Sequence, residues 1–504
     1  MLNFTPLVKP YFNRLVALSA SWATPEGVEK VQRNVLRNLL HRAANTEIGR
    51  SYGFDSRMTA EDFISALPLV EYEDIRPQVM RMLAGEENVL WPGATTRFAQ
   101  SSGTSGGKSK FIPITPEGLK TNHYAGASFP VAFYLHNNPH SRLFAGKSFI
   151  LGGSFANELD GLPRGVKVGD LSANLIECIN PLANLVRVPD KEIALMEDWN
   201  KKLPALVKAA AKENITNISG VPSWFLTVLQ RIMAEKGASS IHSVWPNLEV
   251  FFHGGIAFEP YRSQYEAITD PSKMHWLENY NASEGFFATQ DVLEAKGMRL
   301  LPDVGVFFEF VALDGSRSVT AWEVEQGRTY ELVISSCNGL WRYRLGDTVR
   351  IETVTPLRIS VAGRTKSFIN AFGEELMVWN ADAAITAACR KTDAAIVNYT
   401  AAPVFASGNS KGHHQWLIEW QKMPLGGTEM FAELLDKELQ NLNSDYQAKR
   451  SGDIFLGRLE LLNAKPGLFN SWLAETGKMG GQRKVPRLCN DRRIMDRLIA
   501  VNKE

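Results

Sequence analysis

Residues 99–115 read AQSSGTSGGKSKFIPIT and gather into one turn the groups that hold a phosphate. Ser101, Ser102, Thr104 and Ser105 offer hydroxyl donors, while Gly103 and Gly106 let backbone approach an anion closely. Lys108 and Lys110 add positive charge. The stretch nearly matches the nucleotide-binding pattern G-x-x-x-x-G-K-[ST], with Ser102 standing where the first glycine belongs. Context rules that pattern out. Its mechanism needs a helix launched directly after Lys-Ser, whereas KFIPIT is β-branched, aromatic and interrupted by Pro113. The sequence predicts a strand, a hydroxyl-rich turn and a second strand.

Further stretches place reactive groups at strand ends. HGGIAF (253–258) ends a strand in Gly254 and Gly255, where a flat ring can lie against backbone. YNASEG (280–285) brings Tyr280, Ser283 and Glu284 to one strand end, and GLWRYRLGDTV (339–349) presents Asp347. GRTKSF (363–368) supplies Arg364 and Lys366, and GQRKVPR (481–487) carries Lys484. Other chemistries find no residues. GGSFA (152–156) lacks the last glycine of a G-x-S-x-G elbow, His413 and His414 are adjacent rather than one helical turn apart, and no H-E-x-x-H occurs. Cys178, Cys337, Cys389 and Cys489 are too scattered for a metal site and suit a reducing compartment.

The elements that must position these groups follow from hydrophobic periodicity. Residues 28–44 repeat apolar residues every three or four positions, as a helix does, and the first 90 residues look helical throughout. Residues 191–237 read as helix again. Strand-like runs fall at 248–255, 275–285, 305–313, 329–336 and 342–352, so strands alternating with helices argue for an α/β architecture. A boundary is expected near Gly363. Beyond it a tail with a strand at 414–421 and helices near 428–447 and 491–500 reads as a small α+β domain. With 504 residues, 44% of them hydrophobic, and a net charge of +1, the chain has ample core and no bias towards nucleic acid. Lys9 and Arg14 interrupt the apolar N-terminal stretch, which reads as an amphipathic helix, and no run is long enough to span a membrane. A cytoplasmic location is expected.

Taken together in their order, SSGTSGGKSKFIP, YNASEGFFA, GLWRYRLGD, GRTKSF and GQRKVPR resemble the motifs of the adenylate-forming enzymes, and most closely those of the acyl-acid amido synthetases of the Gretchen Hagen family and their bacterial relatives. The resemblance runs from about Phe98 to Arg487. It implies a large N-terminal domain of mixed sheets and helices, 1–362, and a small hinged C-terminal domain, 363–504, turning about 363–370. It also implies a ligase that uses ATP and Mg²⁺ to activate a carboxylic acid as its adenylate and then passes the acyl group to an amine, usually of an amino acid. By resemblance, Ser101, Ser102, Gly103, Thr104, Ser105 and Gly106 hold the β- and γ-phosphates, and Glu284 carries the magnesium ion. Tyr280 and Ser283 lie near adenine and the α-phosphate, and Gly254 and Gly255 border the adenine. Asp347 accepts both ribose hydroxyls, Arg364 and Lys366 contact ribose or phosphate, and Lys484 stabilises the α-phosphate in the transition state.

The resemblance leaves the acceptor open between an amine and coenzyme A, and a non-catalytic nucleotide-binding relative is a third reading. Plant members carry a bulkier residue where Gly285 stands, so extra room is expected beside the acid pocket. Phe129, Phe133, Tyr134, Trp224 and Phe225 suit either an apolar acid pocket or plain core. His123 and His136 read as ordinary, hydrogen-bonded histidines.

Overall fold

Side-chain caps set where the N-terminal helices begin. Thr24 accepts a hydrogen bond from the Gly27 amide ahead of helix Pro25–Ala43, whose first residue is a proline, and Thr59 and Asp62 form a reciprocal capping box before Ala60–Ala66. The buried face of Pro25–Ala43 is Val28, Gln32, Val35, Leu36, Leu39 and Leu40, the stripe that its periodicity predicts. The computed structural model describes the chain except for residues 1–2, 102–109, 156, 158, 160, 256–257, 316, 365–367, 370, 372–373, 375, 406–411, 444–445, 448–449, 451–455, 476–484, 490 and 504.

The described chain divides into two units. The first takes the sequence up to Val361 apart from 257–267; the second takes 257–267 and everything from Ala362 onward. A 12-stranded sheet organises the first unit. One half is parallel: His275–Ala282, Val250–Gly254, Ile215–Gly220, Lys147–Ile150 and Arg187–Val188 lie side by side in that order. The other half is built from antiparallel pairs, from Gly285–Thr289 through Met298–Leu300, Leu357–Arg364, Leu340–Val354, Thr329–Ser336 and Val306–Ala312 to Ser318–Thr320. The two halves meet at one hairpin, between Ala282 and Gly285. A smaller sheet pairs Arg97–Ser101 with Lys110–Pro113 and Lys167–Gly169.

In the second unit Ala395–Val404, His413–Lys422 and Glu460–Ala464 form a sheet, and the helices Val378–Thr392 and Gly427–Leu442 contribute to one core with it through Ile385, Tyr399, Trp416, Phe431 and Leu435. This is an α+β unit. Within 191–237, read from sequence as helical runs at 191–213 and 222–237, the intervening stretch is a strand that the sequence did not announce. The strand Ile215–Gly220 lies between the helices Trp199–Ala210 and Pro222–Lys236 and is buried in the parallel half-sheet, where strands covered on both faces lose the alternation that would reveal them.

Candidate active site

Ligands of open parallel sheets bind beyond the carboxyl ends of the strands. Two of the motifs reach that edge. Gly254 is the last residue of Val250–Gly254, and a Cβ there would come within 2.4 Å of the Asn279 carbonyl, so only glycine fits beside the neighbouring strand. Gly255 turns the chain with φ of +81°. On the neighbouring strand Tyr280 is buried, and Ser283 and Glu284 form the two-residue tip of the hairpin that follows.

The decisive contact joins distant motifs. The Tyr280 hydroxyl donates to Oδ2 of Asp347 at 2.7 Å, and both residues are buried. Three strands separate His275–Ala282 from Leu340–Val354 in the sheet order, which in a flat sheet would hold them roughly 19 Å apart. The sheet therefore curls over to close this contact, with Tyr280, Phe287, Phe308 and Tyr343 in the core it encloses. Asp347 follows Gly346, which sits at φ +76° and lets the long strand kink at the motif.

The arginines of the same motif serve the fold. Arg342 makes a bidentate pair with Glu309 and donates to the carbonyls of Ile64 and Leu67, fastening the N-terminal helices to the sheet. Arg344 pairs with Glu331.

Ser101 ends its strand directly opposite Lys110, as the strand–turn–strand reading requires. Lys110 lies over the rings of Tyr72 and Tyr343, 5.9 Å from each centroid. The expected phosphate-holding residues Ser102, Gly103, Thr104, Ser105 and Gly106 lie outside the described residues, as do Lys366 and Lys484; Arg364 ends the strand Leu357–Arg364. Just beyond Lys484, Arg487 proves unlike the solvated basic loop suggested by its neighbours in sequence. Its guanidinium pairs with Asp382 at 2.5 Å and lies 4.8 Å from the Tyr399 ring centroid, and the Tyr399 hydroxyl donates to the same carboxylate.

Two other expectations change. Gly285 marks no spare room, since a Cβ there would meet Phe287 at 2.7 Å and Oδ1 of Asn122 at 2.9 Å. Of the aromatic residues read as pocket or core, Phe129, Phe133, Tyr134 and Phe225 are core, whereas Trp224 is only half-buried, near the carboxyl end of Ile215–Gly220. His123 is buried with Nε2 unpartnered, not ordinarily satisfied, and burial pushes its pKa down to about 4.

Sequence reading missed Asn122, Asn338 and Arg487. No motif marks the two asparagines, and in GQRKVPR Arg487 reads only as one more cation, because each works through a partner far away in the chain. Among the described residues no cluster of three metal-ligating side chains occurs, and no helix is long and apolar enough to cross a membrane.

Family models match along nearly the whole chain: the GH3 family N-terminal domain over residues 23–274, the central domain over 299–364 and the C-terminal domain over 379–493. The chain belongs to the GH3 family. Among GH3 relatives it is 25% identical to indole-3-acetic acid-amido synthetase GH3.8 of Oryza sativa subsp. indica, over 91% of this chain and 88% of the relative. It is 26% identical to jasmonoyl--L-amino acid synthetase GH3.5 of Oryza sativa subsp. japonica, over 64% of this chain and 68% of that one. The fold is that of the GH3.15 acyl acid amido synthetase, with a TM-score of 0.78 at 21% identity, covering 97% of this chain and 96% of that one. A 2-hydroxyisobutyryl-CoA ligase in the postadenylation state shares the fold more distantly, with a TM-score of 0.61 at 12% identity over 94% and 92% of the two chains.

Proposed function

We propose that this GH3 protein is an ATP-dependent acyl-acid amido synthetase. The observation that carries the reading is the Tyr280–Asp347 hydrogen bond, which unites two family motifs beside the Glu284 hairpin. In the first step a carboxylate oxygen of the acid attacks the α-phosphorus of ATP, the bond to the β-phosphate breaks, and pyrophosphate leaves. In the second an amine nitrogen attacks the acyl carbon, the acyl–oxygen bond to AMP breaks, and the amine gives up a proton as the amide forms.

Each of this chain's residues has a place in that sequence. Asp347 accepts the ribose hydroxyls, an acceptor role suited to an ionised carboxylate, and Tyr280 fixes its orientation. Gly254 and Gly255 border the adenine, and Arg364 and Lys366 reach ribose or phosphate from the linker between the two units. The hydroxyl-rich turn after Ser101 holds the polyphosphate, and Lys484 offsets charge on the α-phosphate oxygens in the transition state. A carboxylate at Glu284, with no group of three ligating side chains among the described residues, would suit a magnesium ion completed by phosphate and water. Bound there, such an ion neutralises phosphate charge.

Trp224 borders the acid, which favours an apolar or aromatic substrate, and the acceptor is an amino acid. A panel of carboxylic acids, screened for pyrophosphate release with amino acids and with coenzyme A, tests the reading. Amide products support it; thioester products make the chain an acid–CoA ligase, and no release with any acid removes the catalytic reading. Replacing Lys484 with Ala is expected to abolish pyrophosphate exchange while ATP still binds; undiminished exchange removes Lys484 from the site.

A further inference from the structure

The tip of the Glu284 hairpin is short of support from its own backbone. Two-residue hairpins favour turns in which at least one tip residue has positive φ, because only those match the strand twist. Neither Ser283 nor Glu284 has positive φ, and the pairing slips by one residue directly behind the tip, between Tyr280 and Asn281. Such a turn holds its shape only where its surroundings impose it.

The surroundings come from a second irregular element. Residues Gly118–Tyr124 form a π-helix at the head of the helix Ala125–Asn137, and a widened turn of this kind is costly and recurs at functional sites. Its effect here is to aim Asn122, which is 1% exposed, at the strand leaving the hairpin. Asn122 Oδ1 accepts from the Phe286 amide at 2.7 Å, and Nδ2 donates to the carbonyls of Phe286 at 3.1 Å and Val304 at 3.0 Å. The amide is thus spent on both backbone groups of the residue two positions beyond Glu284. Gly285 is what admits it, since any Cβ there would collide with Oδ1. A second buried asparagine, Asn338, donates to the Glu284 carbonyl at 3.4 Å.

We propose that Asn122, admitted by Gly285, is a positioning residue that fixes the Glu284 carboxylate for its metal–phosphate role. The inference rests on the assignment of Glu284 given above. Gln32 supplies a matched control. It is equally buried and bridges backbone in the same way, donating to Pro302 and Val306 and accepting from Phe308, but it makes no hydrogen bond to residues 283–286.

The test is Mn²⁺ binding to the enzyme with ATP, followed by electron paramagnetic resonance, which needs no turnover. Asn122→Ala is expected to weaken Mn²⁺ binding about 10-fold, within the range seen when groups orienting a metal ligand are removed. Asn122→Asp keeps the acceptor but turns an oxygen on the Phe286 and Val304 carbonyls, so it should weaken Mn²⁺ binding at least as much as Asn122→Ala, and its matched size keeps the test open if the alanine variant fails to fold. Gln32→Ala should lower the melting temperature without changing Mn²⁺ affinity. Wild-type Mn²⁺ affinity in Asn122→Asp, or an equal loss in Gln32→Ala, overturns the proposal. Glu284→Gln separates it from its premise: if that variant binds Mn²⁺ with wild-type affinity, the metal role of Glu284 fails first and the positioning role fails with it.

Discussion

At the scale of single residues, burial decides which polar groups act on a ligand and which act on the protein. Asp347 is buried yet lies at the motif expected to meet ribose, with Tyr280 already on one carboxylate oxygen. Hydrogen bonds to a charged group contribute about 1.5–3 kcal/mol, so Asp347→Asn should raise the ATP KM about 10- to 100-fold. Tyr280→Phe should raise it less, and steady-state kinetics at saturating acid reads both. His123 bears on stability alone. Its folded pKa of about 4 lies below the ordinary value of 6.5, so the unfolded chain binds the proton more tightly. The resulting stability is complete above pH 6.5 and is lost as pH falls from 6.5 towards 4. By pH 5 the loss should be about 2 kcal/mol. His123→Phe should therefore lose less melting temperature than wild type between pH 7 and pH 5; parallel losses would show that the ring charges without penalty.

At the scale of elements, legibility followed the range of the cause. Thr329–Ser336 was readable to the residue because its apolar run is local, whereas the helix Pro25–Ala43 was read as 28–44, its periodicity visible and its Thr24 cap not. Ile215–Gly220 was hidden because NITNISG carries two asparagines and no alternation, and only its parallel neighbours make it a strand. The π-helix was equally invisible, since Asn122 finds its partners more than 160 residues away. Arg487 is the clearest case. Beside Arg483 and Lys484 it looks solvated, but Asp382, 105 residues upstream, draws it inside. Backbone bonds continue the anchor: the Ala401 amide donates to the Arg487 carbonyl at 2.8 Å, and the Cys489 amide to the Ala401 carbonyl at 2.9 Å. The segment following Lys484 is thereby pinned to the sheet of the second unit. Removing one partner of a buried pair costs about 3–5 kcal/mol, and these two side chains are 13% and 14% exposed, so Arg487→Met should destabilise the protein by somewhat less than that. Adding Asp382→Leu should restore much of the loss, because no buried carboxylate is then left unpaired. Thermal melts of the two variants check this, and a double variant no better than Arg487→Met would show that packing on Tyr399, not charge, makes the contribution.

At the scale of the whole molecule, the proposed reaction has two steps with conflicting needs. Adenylation requires a cation at the α-phosphate, whereas amide formation requires an open approach for the amine to the acyl carbon of the bound adenylate. A single arrangement that supplies the first obstructs the second. Lys484 belongs to the second unit, and the motifs at Gly254, Glu284 and Asp347 belong to the first. We propose, as an expectation to be tested, that the second unit turns between the steps about residues 363–370. Proline fixes φ, so Thr365→Pro should stiffen the linker and separate the half-reactions. Pyrophosphate exchange and amide formation from preformed acyl-adenylate, assayed separately, are expected to diverge. One should fall at least about 10-fold, an added barrier of about 1.4 kcal/mol, while the other stays near wild type. A variant that loses both equally, or neither, would mean that both steps run in one arrangement. Lys484 would then have to withdraw by local movement of its own loop, leaving the second unit in place.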